Sequence, residues 1–252
     1  MILIYYLLIT FSIIGYGFLL SKILKIECTN YGYLGLLGLS FLIFISYSTT
    51  LFYAHGYKFN IAVLLLGLLV FFYLLKLDKK FKINLKQIFA TFFILTIFIL
   101  VSKNHDDFPY YHFPYTYYLT QENLIVGTGI LNHGFRTPSS IFYLNSLFYL
   151  PLIKYFSFNI GATLLFGVSN LILIFKLKDD YQNKKYDFIF YLTLLSFLFI
   201  NIFFYRISEH GTDRSAQILV LILFIEIFSL LRNEIILHNF FSKIFILLGL
   251  II

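Results

Sequence analysis

The sequence predicts an all-α, polytopic bundle of transmembrane helices, and three observations predict it. Only 12% of the residues are charged, against about 25% in a soluble domain, while 60% are hydrophobic and the mean hydropathy is +0.86. The apolar residues come in runs close to the roughly 20 residues that cross a bilayer as a helix. Within the runs the apolar residues are continuous rather than alternating, which argues against a membrane β-barrel.

About eight spans follow from those runs: 2–20, 31–54, 61–77, 87–102, one within 141–175, 188–205, 216–231, and a last one from about 244. The first run starts at Met1 with no basic leader and no small-residue cleavage site, so it reads as a retained span rather than a signal peptide. The final run stops on Leu-Leu-Gly-Leu-Ile-Ile without a polar flank, so residues 1–252 read as a single transmembrane domain that is an N-terminal fragment with a truncated last helix. Pro151 and Lys154 interrupt 141–156, so the single crossing is assigned to 161–175 and the preceding stretch to an interfacial or re-entrant position.

Charge sets the expected orientation. The net charge is +7, but the 19 basic residues are scattered over loops between spans rather than along one soluble face, which excludes a nucleic-acid partner. Most fall in the loops with Lys22 and Lys25, with Lys76 to Lys86, with Lys176 to Lys185, and with Arg232 and Lys243. Short cytoplasmic loops carry such an excess, so those loops are placed inside and the N-terminus outside, in the inner (plasma) membrane of a bacterium. A lone cysteine, Cys28, leaves no internal disulfide and no cysteine-rich metal site.

The same topology places five of the six histidines on the outer side, together with Asp106, Asp107, Glu122, Glu209 and Asp213. Residues 103–140 form a large outer loop in which the aromatic stretch 110–123 predicts a short helix along the membrane surface, Gly127-Thr-Gly129 a break, and Ser140 the start of the next helix. The loop opens on Asp106-Asp107, directly after a span. Adjacent carboxylates at a membrane boundary are costly and repel, so one is expected to act as a base while the other holds a metal or orients an acceptor. A plain polar helix end is the competing reading.

A second polar segment, Arg206-Ile-Ser-Glu-His-Gly-Thr-Asp-Arg214, falls on the same side. Glu209, His210 and Asp213 offer oxygen and imidazole ligands suited to a divalent ion, Mg or Mn, and Gly211 permits a tight turn between them. Arg206, Arg214, Arg136 and His133 suit a phosphate, because the guanidinium plane matches its oxygens. A self-neutralising surface loop is the alternative. Glu226, inside an apolar run, reads as snorkelling or locally paired, and Tyr110, Tyr111, Tyr115, Tyr117 and Tyr118 as an interfacial aromatic belt.

The motif Asp-Asp-Phe-Pro-Tyr-Tyr-His at 106–112, followed by surface helices, further spans and a second outer acidic loop, resembles the multispan GT-C glycosyltransferases. It also resembles a family of bacterial polytopic membrane proteins with an Asp-Asp-Phe-x-Tyr-His-like outer-loop motif. The resemblance implies Asp106 or Asp107 as catalytic base and Glu209, His210 and Asp213 as metal or acceptor contacts. It implies His112, His133, Arg136, Arg206 and Arg214 as substrate contacts. The expected function is transfer of a sugar from a polyprenyl-phosphate donor to a cell-envelope acceptor at the outer face, with membrane lipid and the lipid-linked donor as partners. A transporter or flippase of lipid-linked saccharides and a non-catalytic partner subunit are the alternatives.

Overall fold

The computed structural model describes residues 1–26, 30–100, 106–204, 207, 212–232, 243–244 and 246–250, with the backbone alone for Lys80 and Thr212. The helices are α1 (Ile2–Ile23), α2 (Tyr31–Thr50), α3 (Tyr57–Leu77), α4 (Lys79–Leu100), α5 (Phe113–Gln121), α6 (Ser140–Ser146), α7 (Ile160–Gln182), α8 (Phe188–Phe203) and α9 (Thr212–Leu231). A π-helical turn at Phe108–His112 precedes α5, and short 3-10 turns lie at Thr128–Ile130, His133–Phe135 and Lys154–Asn159. No strand occurs among the described residues.

Six helices, α1 to α4, α7 and α9, are long and apolar enough to cross a membrane, whereas α8, apolar throughout, has 16 residues. A helix of 22 residues, such as α1, rises about 33 Å, which matches a hydrocarbon core of about 30 Å. The chain is therefore an all-helical polytopic bundle.

Helix starts are where sequence and structure differ most. Lysines made 79–86 look like loop, yet α4 begins at Lys79. The Asp78 carboxylate accepts from the Phe81 N–H at 3.0 Å, satisfying a donor that a helix start leaves open, and lysine is a good helix former. The crossing expected from Gly161 is α7, which runs to Gln182 through Lys176 and Lys178.

The helices of the long loop are corrected more substantially. Every residue from 141 to 150 is buried, with α6 packed among α2, α5 and α7. The α5 helix turns Tyr115, Thr116, Leu119 and Thr120 inward. These helices form a cap folded into one end of the bundle, where Tyr115 and Tyr143 find partners in the protein. The Tyr115 and Tyr143 hydroxyls are 2.6 Å apart, and the Tyr143 ring stacks on Tyr47 at 4.1 Å.

The centre of the bundle relies on small residues. In α7 the residues facing α2, α4, α8 and α9 are almost all buried, as expected of a helix apolar on every side. The α1–α2 contact is closer still. A Cβ on Gly38 would overlap the Ile13 carbonyl oxygen, and one on Gly17 the Leu34 carbonyl oxygen. Lipid gives helices no hydrophobic reason to associate, so this backbone approach and its dispersion contacts hold the pair.

The two ends differ chemically. At the end where α2 and α4 begin, the Tyr31 hydroxyl donates to Asp78 Oδ2 (3.4 Å), Lys178 Nζ to Asn84 Oδ1 (2.9 Å) and Lys176 Nζ to Ser229 Oγ (3.1 Å). Just inside it, the buried Glu226 accepts from the Tyr33 hydroxyl (2.9 Å) and from Lys243 Nζ (2.8 Å), and that ammonium lies 5.2 Å from the centre of the Tyr33 ring. Glu226 is thus locally paired.

At the opposite end a buried polar hub joins α2, α3, α5 and α6. His55, fully buried, has Nδ1 2.7 Å from Ser146 Oγ and Nε2 2.9 Å from Thr49 Oγ1, and its N–H donates to Leu119 O at 2.9 Å. The Asn60 amide nitrogen reaches the carbonyl oxygens of His55, Ser146 and Tyr149 at 2.8, 2.9 and 2.9 Å. Burial pushes the His55 imidazole down to about 4 from an ordinary value of 6.5.

A depressed histidine pKa means that the unfolded chain binds the proton first. The stability from neutral His55 is whole above pH 6.5 and is lost as pH falls towards 4, by about 3 kcal/mol in all. The apparent melting midpoint of the purified protein should therefore drop across that window, and the His55→Gln variant, less stable at neutral pH, should show a flatter dependence. Equal slopes would remove His55 as the titrating group. For the α1–α2 contact, Gly38→Leu should cost about 1–3 kcal/mol or more by overpacking, read as a lower melting midpoint and lower membrane abundance than Gly249→Leu, whose Cβ meets open space.

Candidate functional site

The site is built on the turn that leads into α5. Pro109 and Pro114 occupy first-turn positions of the π-turn and of α5, where a missing N–H costs nothing. The Tyr110 and Tyr111 N–H groups both donate to the Asp107 carbonyl at 3.2 Å, so the chain turns directly on Asp107. One turn on, the Tyr111 hydroxyl donates to Asp107 Oδ2 at 3.3 Å. The four-residue spacing puts the two side chains on one side of the turn.

Asp213, in the first turn of α9, acts on the same hydroxyl. The Tyr111 pKa is raised above 10, by burial first, then by the Asp107 charge and hydrogen bond, and then by the Asp213 charge. Carboxylates from segments a hundred residues apart thus bear on one phenol. Asp213 also sits at a helix N-terminus, where the dipole favours an acid.

The His133–Phe135 turn closes the other side. Asn132 Nδ2 donates to Tyr110 O at 2.9 Å, and a Cβ on Gly134 would stand 2.5 Å from Tyr111 Cβ and Cγ, so only glycine lets this turn press on the tyrosine. His133 and Arg136 are exposed, and the Arg136 Nε donates to Gly129 O at 3.3 Å. Asp106 is exposed and Asp107 half-buried. His112 is buried, with ring centres 4.3 Å from Tyr111 and 4.9 Å from Phe142. Arg214 is half-buried at the start of α9. Arg206, Glu209 and His210 lie outside the described residues.

The tyrosines expected to form one interfacial belt have separate roles. Tyr115 is buried in the cap, Tyr110 is exposed and Tyr111 holds Asp107. Among the described residues no group of three or more His, Cys, Asp or Glu side chains is placed to hold a metal ion. Tyr111 was legible only as an aromatic; its signal was the four-residue offset from Asp107.

Fold and site together define an all-helical membrane protein with a folded polar cap at one end, carrying acidic and basic side chains. A family described as "Domain of unknown function (DUF8201)" matches residues 1–252, and the chain belongs to that family. No curated protein and no solved structure matches the chain.

The shared phenol offers a direct test of the geometry. With fluorotyrosine placed at 111, its 19F titration midpoint should fall in Asp107→Asn and, by a smaller amount, in Asp213→Asn. An Asp213→Asn midpoint equal to that of the unsubstituted protein would separate the two segments.

Proposed function

We propose that this protein is a membrane glycosyltransferase that moves a sugar from a polyprenyl-phosphate donor to a cell-envelope acceptor at the outer face of a bacterial plasma membrane. The observation that carries the reading is the hydrogen bond from the Tyr111 hydroxyl to Asp107, with the charge of Asp213 from the second segment as a weaker influence on the same phenol; it supports a site assembled from two segments that the resemblance to GT-C enzymes also pairs. In this reading there are eight crossings, the N-terminus is outside, and the polar cap is outside with it.

The residues take their roles from position. Asp106, exposed at the rim, is free of the turn's hydrogen bonds to Asp107 and takes the acceptor's proton. Asp107, held by Tyr111, orients the acceptor or a divalent ion. Exposed His133 and Arg136 meet the phosphate that leaves, with Arg206 and Arg214 from the second segment. An ion such as Mg2+ or Mn2+, where bound by Asp107 and Asp213 with Glu209 and His210, would neutralise charge on that phosphate. A carrier of lipid-linked saccharides is the second reading, favoured by the Glu226–Lys243 pair, because ionised groups within spans commonly mark transport pathways.

Reconstituted protein supplied with a panel of polyprenyl-phosphate sugars should release polyprenyl phosphate, and Asp106→Asn and Asp107→Asn should each lower that rate by about 10²-fold or more while keeping membrane abundance. Full activity in both variants would end the proposal, and movement of intact donor across the bilayer without release would establish the carrier instead.

A further inference from the structure

The segment after α5 has a composition and an exposure that the cap does not explain. From Asn123 to Asn132 there is no charged residue, and its apolar side chains are turned outward: Val126 is 96% exposed, Ile130 88% and Leu131 85%. In water such a cluster on a short loop is unfavourable. Beneath it, between the loop and Pro114, Tyr118 and Phe135, runs an apolar groove of about 390 Å³.

The loop's level is fixed by the bundle. Leu124 N–H donates to Thr50 O at 2.7 Å, so the loop leaves from the last turn of α2, a candidate span, where a bilayer passes from hydrocarbon to headgroups. Part of its backbone is satisfied without water. The Ile125 N–H donates to the Tyr118 hydroxyl at 2.8 Å, and the Ile130 and Leu131 N–H groups bond within the 3-10 turn at 2.9 and 3.0 Å. Gly129 O accepts from Arg136, and Gly127, at φ +96°, makes the left-handed turn that projects Val126. The remaining backbone groups require the hydrated headgroup level rather than the hydrocarbon core.

We propose that residues 125–131 form a membrane-insertion loop. Val126, Ile130 and Leu131 enter the headgroup–acyl boundary of the bilayer, and an acyl chain lies in the groove under Leu131. The inference is independent of the sugar-transfer reading, since it concerns bilayer lipid rather than a substrate.

Val126→Cys and Ile130→Cys, each in a Cys28→Ser background, place an environment-sensitive fluorophore on the loop, and Lys185→Cys places one on the far polar loop between α7 and α8. The labelled proteins are reconstituted into vesicles of phosphatidylcholine and phosphatidylglycerol. Labels at 126 and 130 should emit to the blue of the label at 185, be strongly quenched by phosphatidylcholine carrying a spin label near its headgroup, and resist aqueous iodide. The label at 185 should do the reverse. Iodide quenching at 126 and 130 equal to that at 185 would overturn the proposal by leaving the loop in water. Shielding from both quenchers would overturn it by showing a protein surface over the loop.

Discussion

The hydrogen-bonded hub of His55, Asn60 and Ser146 is the interaction on which the rest of this structure depends. Helices α2 and α3 meet there at a tight turn, and α5 and α6 fold back over it. Four helix termini would each leave backbone donors and acceptors bare near hydrocarbon. Asn60 gathers three carbonyls and His55 places a ring nitrogen against each of two hydroxyls, so the termini are satisfied by protein. Because the hub holds α6 and the end of α5 in place, the turn carrying Asp107 and Tyr111 at the start of α5 has a fixed base.

Close helix packing sets the bundle beneath that hub. Where Gly17 and Gly38 let α1 and α2 touch backbone to backbone, the helices are positioned by shape rather than by exclusion from water. The two ends then diverge in chemistry. One collects lysines that pair with asparagine, glutamine, serine and the buried Glu226. The other collects tyrosines, histidines and the acids of the candidate site. Segregating the groups in this way keeps the mid-span largely apolar, and the Glu226–Lys243 pair is a local exception compensated by its own partners.

Much of this was legible in the residues and some was not. Runs of apolar side chains located α1 to α4, α7 and α9, since that signal depends only on composition along the chain. Helix starts were misplaced where lysines mimicked a loop, because a cap such as Asp78 acts through geometry that a run of polar residues does not reveal. That α5 and α6 pack into the end of the bundle was not legible, because aromatic residues suit an interface and a protein interior equally well. Asp106-Asp107 stood out from its setting, whereas Tyr111 did not, its role being visible only once the turn places it against Asp107.

By itself the sequence determined that the chain is helical and apolar enough for a membrane, and that Asp106-Asp107 and five of its six histidines fall outside the lysine-rich segments. Those properties follow from how each residue partitions between water and hydrocarbon, which is local. Tertiary structure alone decided that the long loop folds as a buried cap, that His55 is a structural hub, that Glu226 pairs with Lys243, and that Asp107 and Asp213 bear on one tyrosine. The first three are contacts between separate segments, fixed by packing and hydrogen bonding in three dimensions, and in the fourth the Asp213 charge reaches the phenol through space.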